Sequence, residues 1–298
     1  MNNMDRLHEA VLEKGNVCVG LDTSAEYVPE GARSRFSGPA EAVFAYNRAV
    51  VDATLDAAAC YKAQIAYYEA LGLAGMAAYS RTLAYISGRG GLVIADIKRS
   101  DIAETAARYA EGHFSGDFEA DFVTLNPYMG RDSLEPWLRA AEKTGKGAFV
   151  LVRTSNPGMK DIENRELKTG GRLYDEAARM VSELAERYSG AYGYGGFGVV
   201  AGCTEAGDAA AIRARYENLF FLIPGYGAQG GGADTAALLL KPDGTGGVVN
   251  ASRSILTAWR SCPQCLTLEA AAVEARRAVL KMRLALSARP PAGLNRLR

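Results

Sequence analysis

Histidine is scarce in this chain, which has only two among its 298 residues. Neither His8 nor His113 follows an apolar segment that could form a buried strand, so we expect both on helices or at the surface. No cluster of metal-ligand residues can be assembled around them. The sequence therefore predicts no metal centre.

A surplus of either charge is also lacking, because 34 lysines and arginines balance 34 aspartates and glutamates. Without a basic surplus, we expect neither nucleic acid nor a membrane surface as a partner. No apolar stretch approaches the length of a membrane span, and residues 1–6 show no signal-peptide core. These absences predict a cytoplasmic protein.

The five cysteines form an odd set. Cys18, Cys60 and Cys203 fall in apolar runs, where a cysteine is usually a small buried side chain. Cys262 and Cys265 have CxxC spacing, but no second pair completes a zinc site, so we interpret them as part of a surface turn. This pattern is typical of a reducing compartment.

Eight short apolar runs recur along the chain, and a longer amphipathic stretch follows each of them. Such alternation predicts βαβ units around a parallel sheet whose strands are buried on both faces. The predicted strands are 17–22, 59–64, 92–98, 122–126, 148–153, 198–201, 219–224 and 247–250. The predicted helices are 41–58, 75–88, 102–111, 133–144, 172–188, 205–216, 234–240 and 268–286.

Eight such units predict an α/β protein with a (β/α)₈ TIM barrel, in which chemistry lies at the carboxyl ends of the strands. A doubly wound open sheet is the alternative, but the first βα turn, "GLDTSAEYVPEG", lacks the glycine fingerprint of a dinucleotide site. We expect residues 1–298 to form one domain, with residues 287–298 as a flexible tail.

Polar residues collect where the predicted strands end. Residues two apart on a strand point to the same side, so Asp96 and Lys98 should share the barrel interior while Ile97 faces the helices. The residues at these ends are Asp22, Lys62, Asp96, Lys98, Asp101, Asn126 and the segment 154–158.

A buried ion pair that merely satisfies itself is the structural alternative for Asp96 and Lys98. Buried pairs stabilise a fold weakly, because desolvation offsets their attraction. With Lys62 on the neighbouring strand and Asp101 close by, the charges alternate. Such an array holds a lysine protonated and aimed at a carbon that develops negative charge, which favours a catalytic site.

The last two strand ends have the features of an anion site. The segment "PGYGAQGGG", which begins at Pro224 and Gly225, offers many unhindered backbone N–H groups. Arg253 follows the eighth strand and suits two-pronged recognition of a phosphate. Phosphate sites after strands seven and eight recur in barrels of this kind.

Asp-x-Lys-x-x-Asp at the end of a third strand, with a lysine on the second, resembles the orotidine 5′-phosphate decarboxylase family. The resemblance extends over nearly the whole chain, and its length and "LNPYMGRDSLEPW" are similar to the longer bacterial subfamily found in mycobacteria. The other matching segments are "VGLDTS", "YKAQIAYYEALG", "VIADIKRSDIAET", "VRTSNPG", "PGYGAQGG" and "VNASRSI".

The resemblance implies decarboxylation of orotidine 5′-phosphate to uridine 5′-phosphate without metal or cofactor. Lys98 would protonate C6 of the pyrimidine, and Asp96 would lie against the substrate carboxylate. Lys62 and Asp22 would bind the ribose, Ser155 the pyrimidine, and Gln229 and Arg253 the phosphate. The resemblance further implies a homodimer in which Asp101, Ile102 and Thr105 reach the partner's site. Asn126 is a substrate-binding candidate without a matching family role.

Two other functions stay open at this stage. A magnesium-dependent sugar-phosphate decarboxylase or hexulose-phosphate synthase of the same superfamily also uses Asp-x-Lys-x-x-Asp, although Lys62 stands where those relatives are expected to have an acidic ligand. A nucleotide-binding barrel without turnover is the second, but a mere binder has little use for Lys98.

Overall fold

The computed structural model describes residues 2–227 and 230–288. Eight strands form a closed barrel in sequence order, and every neighbouring pair is parallel. This confirms the predicted (β/α)₈ barrel. The strands are β1 (Val17–Gly20), β2 (Cys60–Gln64), β3 (Val93–Arg99), β4 (Phe122–Leu125), β5 (Gly147–Arg153), β6 (Phe197–Ala201), β7 (Phe221–Ile223) and β8 (Gly247–Ala251).

The eight predicted helices overlap helices of the structure, and five further α-helices of the described chain supplement them. No helix in the described part of the chain is long and apolar enough to cross a lipid bilayer. The α-helices of this part are α1 (Asn3–Lys14), α2 (Glu30–Arg33), α3 (Pro39–Thr54), α4 (Ala66–Glu69), α5 (Gly72–Gly88), α6 (Ala103–Phe114), α7 (Arg131–Thr144), α8 (Met159–Ile162), α9 (Leu173–Glu186), α10 (Ala206–Arg215), α11 (Ala233–Ala237), α12 (Arg253–Leu256) and α13 (Leu268–Ser287).

Helix α1 was not predicted, and it closes the amino-terminal end of the barrel. Met4, Leu7 and Val11 form its apolar stripe and pack in one cluster with side chains of the barrel interior. The interior members include Ile94, Phe122, Phe149, Phe220 and Val248, all fully buried. A separate cluster joins the outer faces of the strands to the surrounding helices.

Polar contacts fix α1 in this place. Asn2 and Asp5 form a reciprocal capping box at its start. The Asn3 amide donates to the backbone oxygen of Asp121 at 3.2 Å and to its carboxylate at 3.0 Å, just before β4. The barrel therefore has a sealed end and an open carboxyl end.

Both histidines lie on helices, as predicted, but they are buried rather than at the surface. His8 on α1 packs against Tyr192 and Tyr194, with ring centroids 4.5 and 5.4 Å away. His113 on α6 stacks on Trp137. Burial lowers the pKa of His8, and burial together with nearby Arg99 lowers the pKa of His113 to about 4. Both are neutral structural side chains at pH 7.

Cys18, Cys60 and Cys203 are buried free thiols, as expected. The prediction for the CxxC pair was incomplete, because Cys262 and Cys265 form a disulfide in the turn before α13, and Cys265 is buried. Residues 289–298 of the predicted tail lie outside the described residues, whereas α13 extends to Ser287.

Candidate active site

A cavity of about 490 Å³ lies at the carboxyl end of the barrel. One side carries charged and polar side chains from the first three strands. The opposite side carries Leu151, Val200 and Leu222 from β5, β6 and β7. Such a divided cavity suits a ligand that is polar on one side and apolar on the other.

The charged side is an ordered array centred on the carboxylate of Asp96. Lys62 Nζ lies 2.9 Å from Asp22 Oδ1 and 2.9 Å from Asp96 Oδ2. Lys98 Nζ lies 2.6 Å from the other oxygen of Asp96, Oδ1. Asp96 is therefore held between two ammonium groups, and Lys62 is held between two carboxylates.

Neighbouring charges keep Lys62 and Asp96 ionised. Burial alone would lower the pKa of Lys62, but the carboxylates of Asp22 and Asp96 outweigh it and raise that pKa above its usual value. Burial alone would raise the pKa of Asp96, yet Lys62 and Lys98 bring it well below its ordinary range. At neutral pH, Lys62 is therefore an ammonium and Asp96 a carboxylate.

Neutral side chains complete the shell around Asp96. The Gln64 amide donates to Oδ2 at 3.0 Å, and the Thr124 hydroxyl donates to Oδ1 at 2.8 Å. Asp22 accepts a hydrogen bond from Ser252 Oγ at 2.8 Å. Gly20 permits this last contact, since a Cβ there would lie 1.9 Å from Ser252 Oγ.

Lys98 reaches Asp96 through an unusual backbone conformation. Its φ is +46°, in the left-handed region that residues other than glycine rarely adopt. Its N–H donates to Thr124 Oγ1 at 2.9 Å, and the pairing of β3 with β4 shifts register between Ala95 and Arg99. Such strain costs about 1–3 kcal/mol and concentrates at functional sites.

The loop after β5 forms the wall beside the apolar side chains. Thr154, Ser155 and Asn156 all line the cavity. Ser155 is therefore placed where it can contact a ring that lies against Leu151 and Val200.

The loops after β7 and β8 close the far end of the cavity. Pro224, Gly225 and Tyr226 line it from one side, and Arg253, the first residue of α12, lines it from the other. Gly225 has a φ of +101°, so this turn depends on glycine. Gln229, the other residue predicted for a phosphate, lies outside the described residues.

Four of the predicted residues do not line the cavity within the described chain. Asp101 is partly exposed beyond β3, where its carboxylate accepts a hydrogen bond from the N–H of Ile102 at 2.8 Å. Ile102 and Thr105 are exposed at the start of α6. The Asn126 side chain accepts a hydrogen bond from the N–H of Tyr128 instead. Strand β4 ends at Leu125, so the inward-facing polar residue is Thr124.

Three residues of the array were not predicted, namely Gln64, Thr124 and Ser252. The sequence position of each one could have identified it as a candidate for the cavity. Gln64 lies two positions after Lys62 on β2, and Thr124 is the last but one residue of β4. Ser252 directly precedes Arg253. Strand alternation places the first two on the inner face.

Comparisons with known proteins agree with this geometry. The family profile described as "Orotidine 5'-phosphate decarboxylase / HUMPS family" matches residues 15–260. The orotidine 5′-phosphate decarboxylase of Clostridium kluyveri is 52 % identical over 86 % of this chain and 88 % of its own length. That of Clostridium perfringens strain SM101 is 53 % identical over 86 % of this chain and 89 % of its own.

A solved structure extends the likeness to three dimensions. The OMP decarboxylase of Leishmania donovani superposes with a TM-score of 0.75 at 31 % identity, covering 96 % of this chain and all of that one. The names of these relatives do not distinguish subfamilies, so the predicted subfamily stays a prediction. Profile, sequence and structure agree that the chain belongs to the orotidine 5′-phosphate decarboxylase / HUMPS family.

Proposed function

We propose that Lys98 protonates C6 of the pyrimidine in the reaction this chain catalyses, the decarboxylation of orotidine 5′-phosphate to uridine 5′-phosphate in pyrimidine biosynthesis. The observation that carries the proposal is the buried carboxylate of Asp96, held 2.6 Å from Lys98 Nζ and 2.9 Å from Lys62 Nζ. A fixed ammonium beside the reacting carbon is the group that this chemistry needs.

Loss of carbon dioxide leaves an electron pair on C6 in the plane of the ring, where the ring π system does not delocalise it. A preorganised ammonium stabilises that charge without reorganisation, and it also supplies the proton. Asp96 lies where it would adjoin the departing carboxylate, so loss of that negative charge relieves repulsion. The same carboxylate holds Lys98 in position.

The remainder of the nucleotide is assigned along the cavity. We place the ribose near Lys62 and Asp22, the pyrimidine between Ser155 and the apolar wall, and the phosphate at Pro224, Gly225 and Arg253. Contacts with the remote phosphate lower the chemical barrier when they hold the reacting ring in its productive position.

The assay that tests this function follows pyrimidine absorbance after orotidine 5′-phosphate is added, with and without EDTA. Lys62 Nζ lies between Asp22 and Asp96, in the position that a divalent cation would need in order to be bound by both. We therefore expect full turnover in EDTA. Activity that EDTA removes and magnesium restores would favour the magnesium enzymes, and binding without turnover would indicate a nucleotide-binding barrel.

Arg253→Ala is expected to raise KM sharply and to lower kcat/KM by roughly 2–4 kcal/mol of transition-state binding, because a charged hydrogen bond to phosphate is lost. Steady-state kinetics with orotidine 5′-phosphate measures this. Arg277→Ala is the matched control, since Arg277 pairs with Glu274 on the surface of α13. Normal kinetics for Arg253→Ala would mean that the phosphate binds elsewhere.

We also propose a homodimer with shared sites, in which Asp101 completes the charge array of the partner. In support, Asp101 lies apart from the cavity of its own chain, on a segment bounded by positive φ angles at Lys98 and Ala103. Ile102, Tyr109 and Tyr128 expose apolar surface near this rim. Burial of such a patch against a second copy would stabilise the pair.

A further inference from the structure

We infer that Glu163 and Arg153 are positioning residues, which hold the loop of residues 154–156 against the base of the bound nucleotide. Neither residue is among those that line the cavity. Both contact Thr154, the residue that precedes Ser155. The inference rests on the proposed function, because that function places the pyrimidine beside this loop.

Glu163 accepts two hydrogen bonds from Thr154. Its carboxylate accepts the backbone N–H of Thr154 at 2.8 Å through Oε2 and the Thr154 hydroxyl at 2.7 Å through Oε1. The backbone oxygen of Glu163 in turn accepts the N–H of Tyr174, at 3.0 Å, in α9. The carboxylate is thereby tied to a helix that packs on the barrel.

Arg153 is a buried residue that donates a hydrogen bond to Thr154. It is the last residue of β5 and is fully buried. Its Nη1 donates to the backbone oxygen of Thr154 at 3.1 Å and to Thr204 Oγ1 at 3.2 Å. Asp208 balances its charge at 3.3 Å and also pairs with Arg172 at 3.2 Å.

The loop after β6 supports Ser155 itself. Gly202 donates its N–H to the backbone oxygen of Arg153 at 2.7 Å. A Cβ at Gly202 would lie 2.8 Å from Ser155 Cβ and 3.0 Å from its nitrogen, so the two loops are in close backbone contact. Ser155 therefore has little room to move away from the cavity.

These contacts satisfy the N–H, the hydroxyl and the carbonyl of Thr154 with charged side chains. The carbonyl of Thr154 belongs to the peptide that joins it to Ser155, so these contacts fix the direction in which Ser155 points. Stability alone is a weak reason to bury Arg153, because desolvation of a buried ion pair offsets its attraction. Preorganisation of a loop that touches the ligand is a stronger one.

The test compares two competitive ligands, uridine 5′-phosphate and ribose 5-phosphate, which differ by the base. Glu163→Gln keeps the shape but removes the negative charge. Its amide oxygen can still accept the Thr154 N–H, whereas its NH₂ group faces the Thr154 hydroxyl, whose proton then goes to Asn156 Oδ1 at 2.7 Å, so the charge-assisted hydrogen bonds to Thr154 become weaker neutral ones. We expect uridine 5′-phosphate to bind about tenfold more weakly, the effect of losing this charge assistance. Binding of ribose 5-phosphate should be unchanged.

Glu166→Gln is the matched control, since Glu166 is an exposed glutamate of the same segment. Thr204→Val is the second variant, because it removes the hydroxyl that Arg153 contacts and keeps the side-chain shape. It should show the same selective loss on a smaller scale. If Glu163→Gln does not fold, Thr204→Val tests the inference in its place. Thermal unfolding of each variant shows whether it is folded.

Equal weakening of both ligands would show a merely structural role and overturn the inference, as would unchanged binding of uridine 5′-phosphate by a folded variant. Wild-type protein is measured first. If it neither turns over orotidine 5′-phosphate nor prefers uridine 5′-phosphate to ribose 5-phosphate, the proposed function fails and the inference fails with it. If wild type shows both and the folded variants retain that preference, the inference alone fails.

Discussion

Lys98→Ala is expected to lower kcat at least about 10³-fold, because general acid catalysis and electrostatic stabilisation each contribute factors of about 10²–10³ or more. Affinity for uridine 5′-phosphate should change by less than about threefold, since the interaction lost is made mainly in the transition state. Asp96 would keep its contacts with Lys62, Gln64 and Thr124, so the array should retain its shape.

Two measurements check this expectation, steady-state turnover and calorimetric binding of uridine 5′-phosphate. Lys146→Ala is the matched control. Lys146 also forms an ion pair, with Glu119 at 2.8 Å, but it lies immediately before β5, at the end of the barrel opposite the cavity. Turnover close to that of wild type would remove Lys98 from the mechanism. A large loss of nucleotide affinity would instead make it a binding residue.

The second large effect is expected from mixed dimers, under the proposal that two chains share their sites. Asp101→Asn and Lys62→Ala homodimers should each be nearly inactive, since every shared site then lacks one charge. After dissociation and reassociation together, a heterodimer has one site with both lesions and one site with neither. Activity should return to about a quarter of wild type, because half of the dimers are mixed and each has one intact site.

A mixture of Lys62→Ala with Lys98→Ala is the control for this experiment. Lys62 and Lys98 of any one site come from the same chain. Each site of the heterodimer therefore carries one of the two substitutions, and no activity should return. Subunit exchange is shown independently with labelled chains. If the Asp101→Asn and Lys62→Ala mixture also stays inactive after proven exchange, each site is built from a single chain.

The barrel is predictable from the sequence because each strand is short, apolar on both faces and followed by an amphipathic helix. The same reasoning placed Asp22, Lys62 and Asp96 near one another, since parallel strands bring their carboxyl ends to one rim. Strand four ends at Leu125, one residue earlier than predicted, so Asn126 lies beyond the strand. Its side chain accepts a hydrogen bond from the N–H of Tyr128 in the turn, and Thr124 is the last residue of the strand that alternation directs into the cavity.

Features that depend on distant parts of the chain were beyond sequence reasoning. Helix α1 is a mostly polar segment that becomes a structural element only because the barrel end buries its narrow apolar stripe. The left-handed backbone at Lys98 accompanies a hydrogen bond from its N–H to the hydroxyl of Thr124, 26 residues away. The pairing of Cys262 with Cys265 requires a turn whose geometry the CxxC spacing alone does not specify.

The sealed end of the barrel has a consequence for the gas that the reaction produces. Below Asp96, Ile94, Phe122 and Phe149 fill the interior, and α1 covers the opening beneath them. In the proposed mechanism, carbon dioxide released beside Asp96 would have no exit through this floor, and the bound nucleotide would occupy the mouth above it. The carbanion would then form next to a retained molecule with which it could recombine. Recombination and proton transfer would compete, and the Lys98 ammonium, 2.6 Å from Asp96 Oδ1, would shorten the time in which recombination can occur.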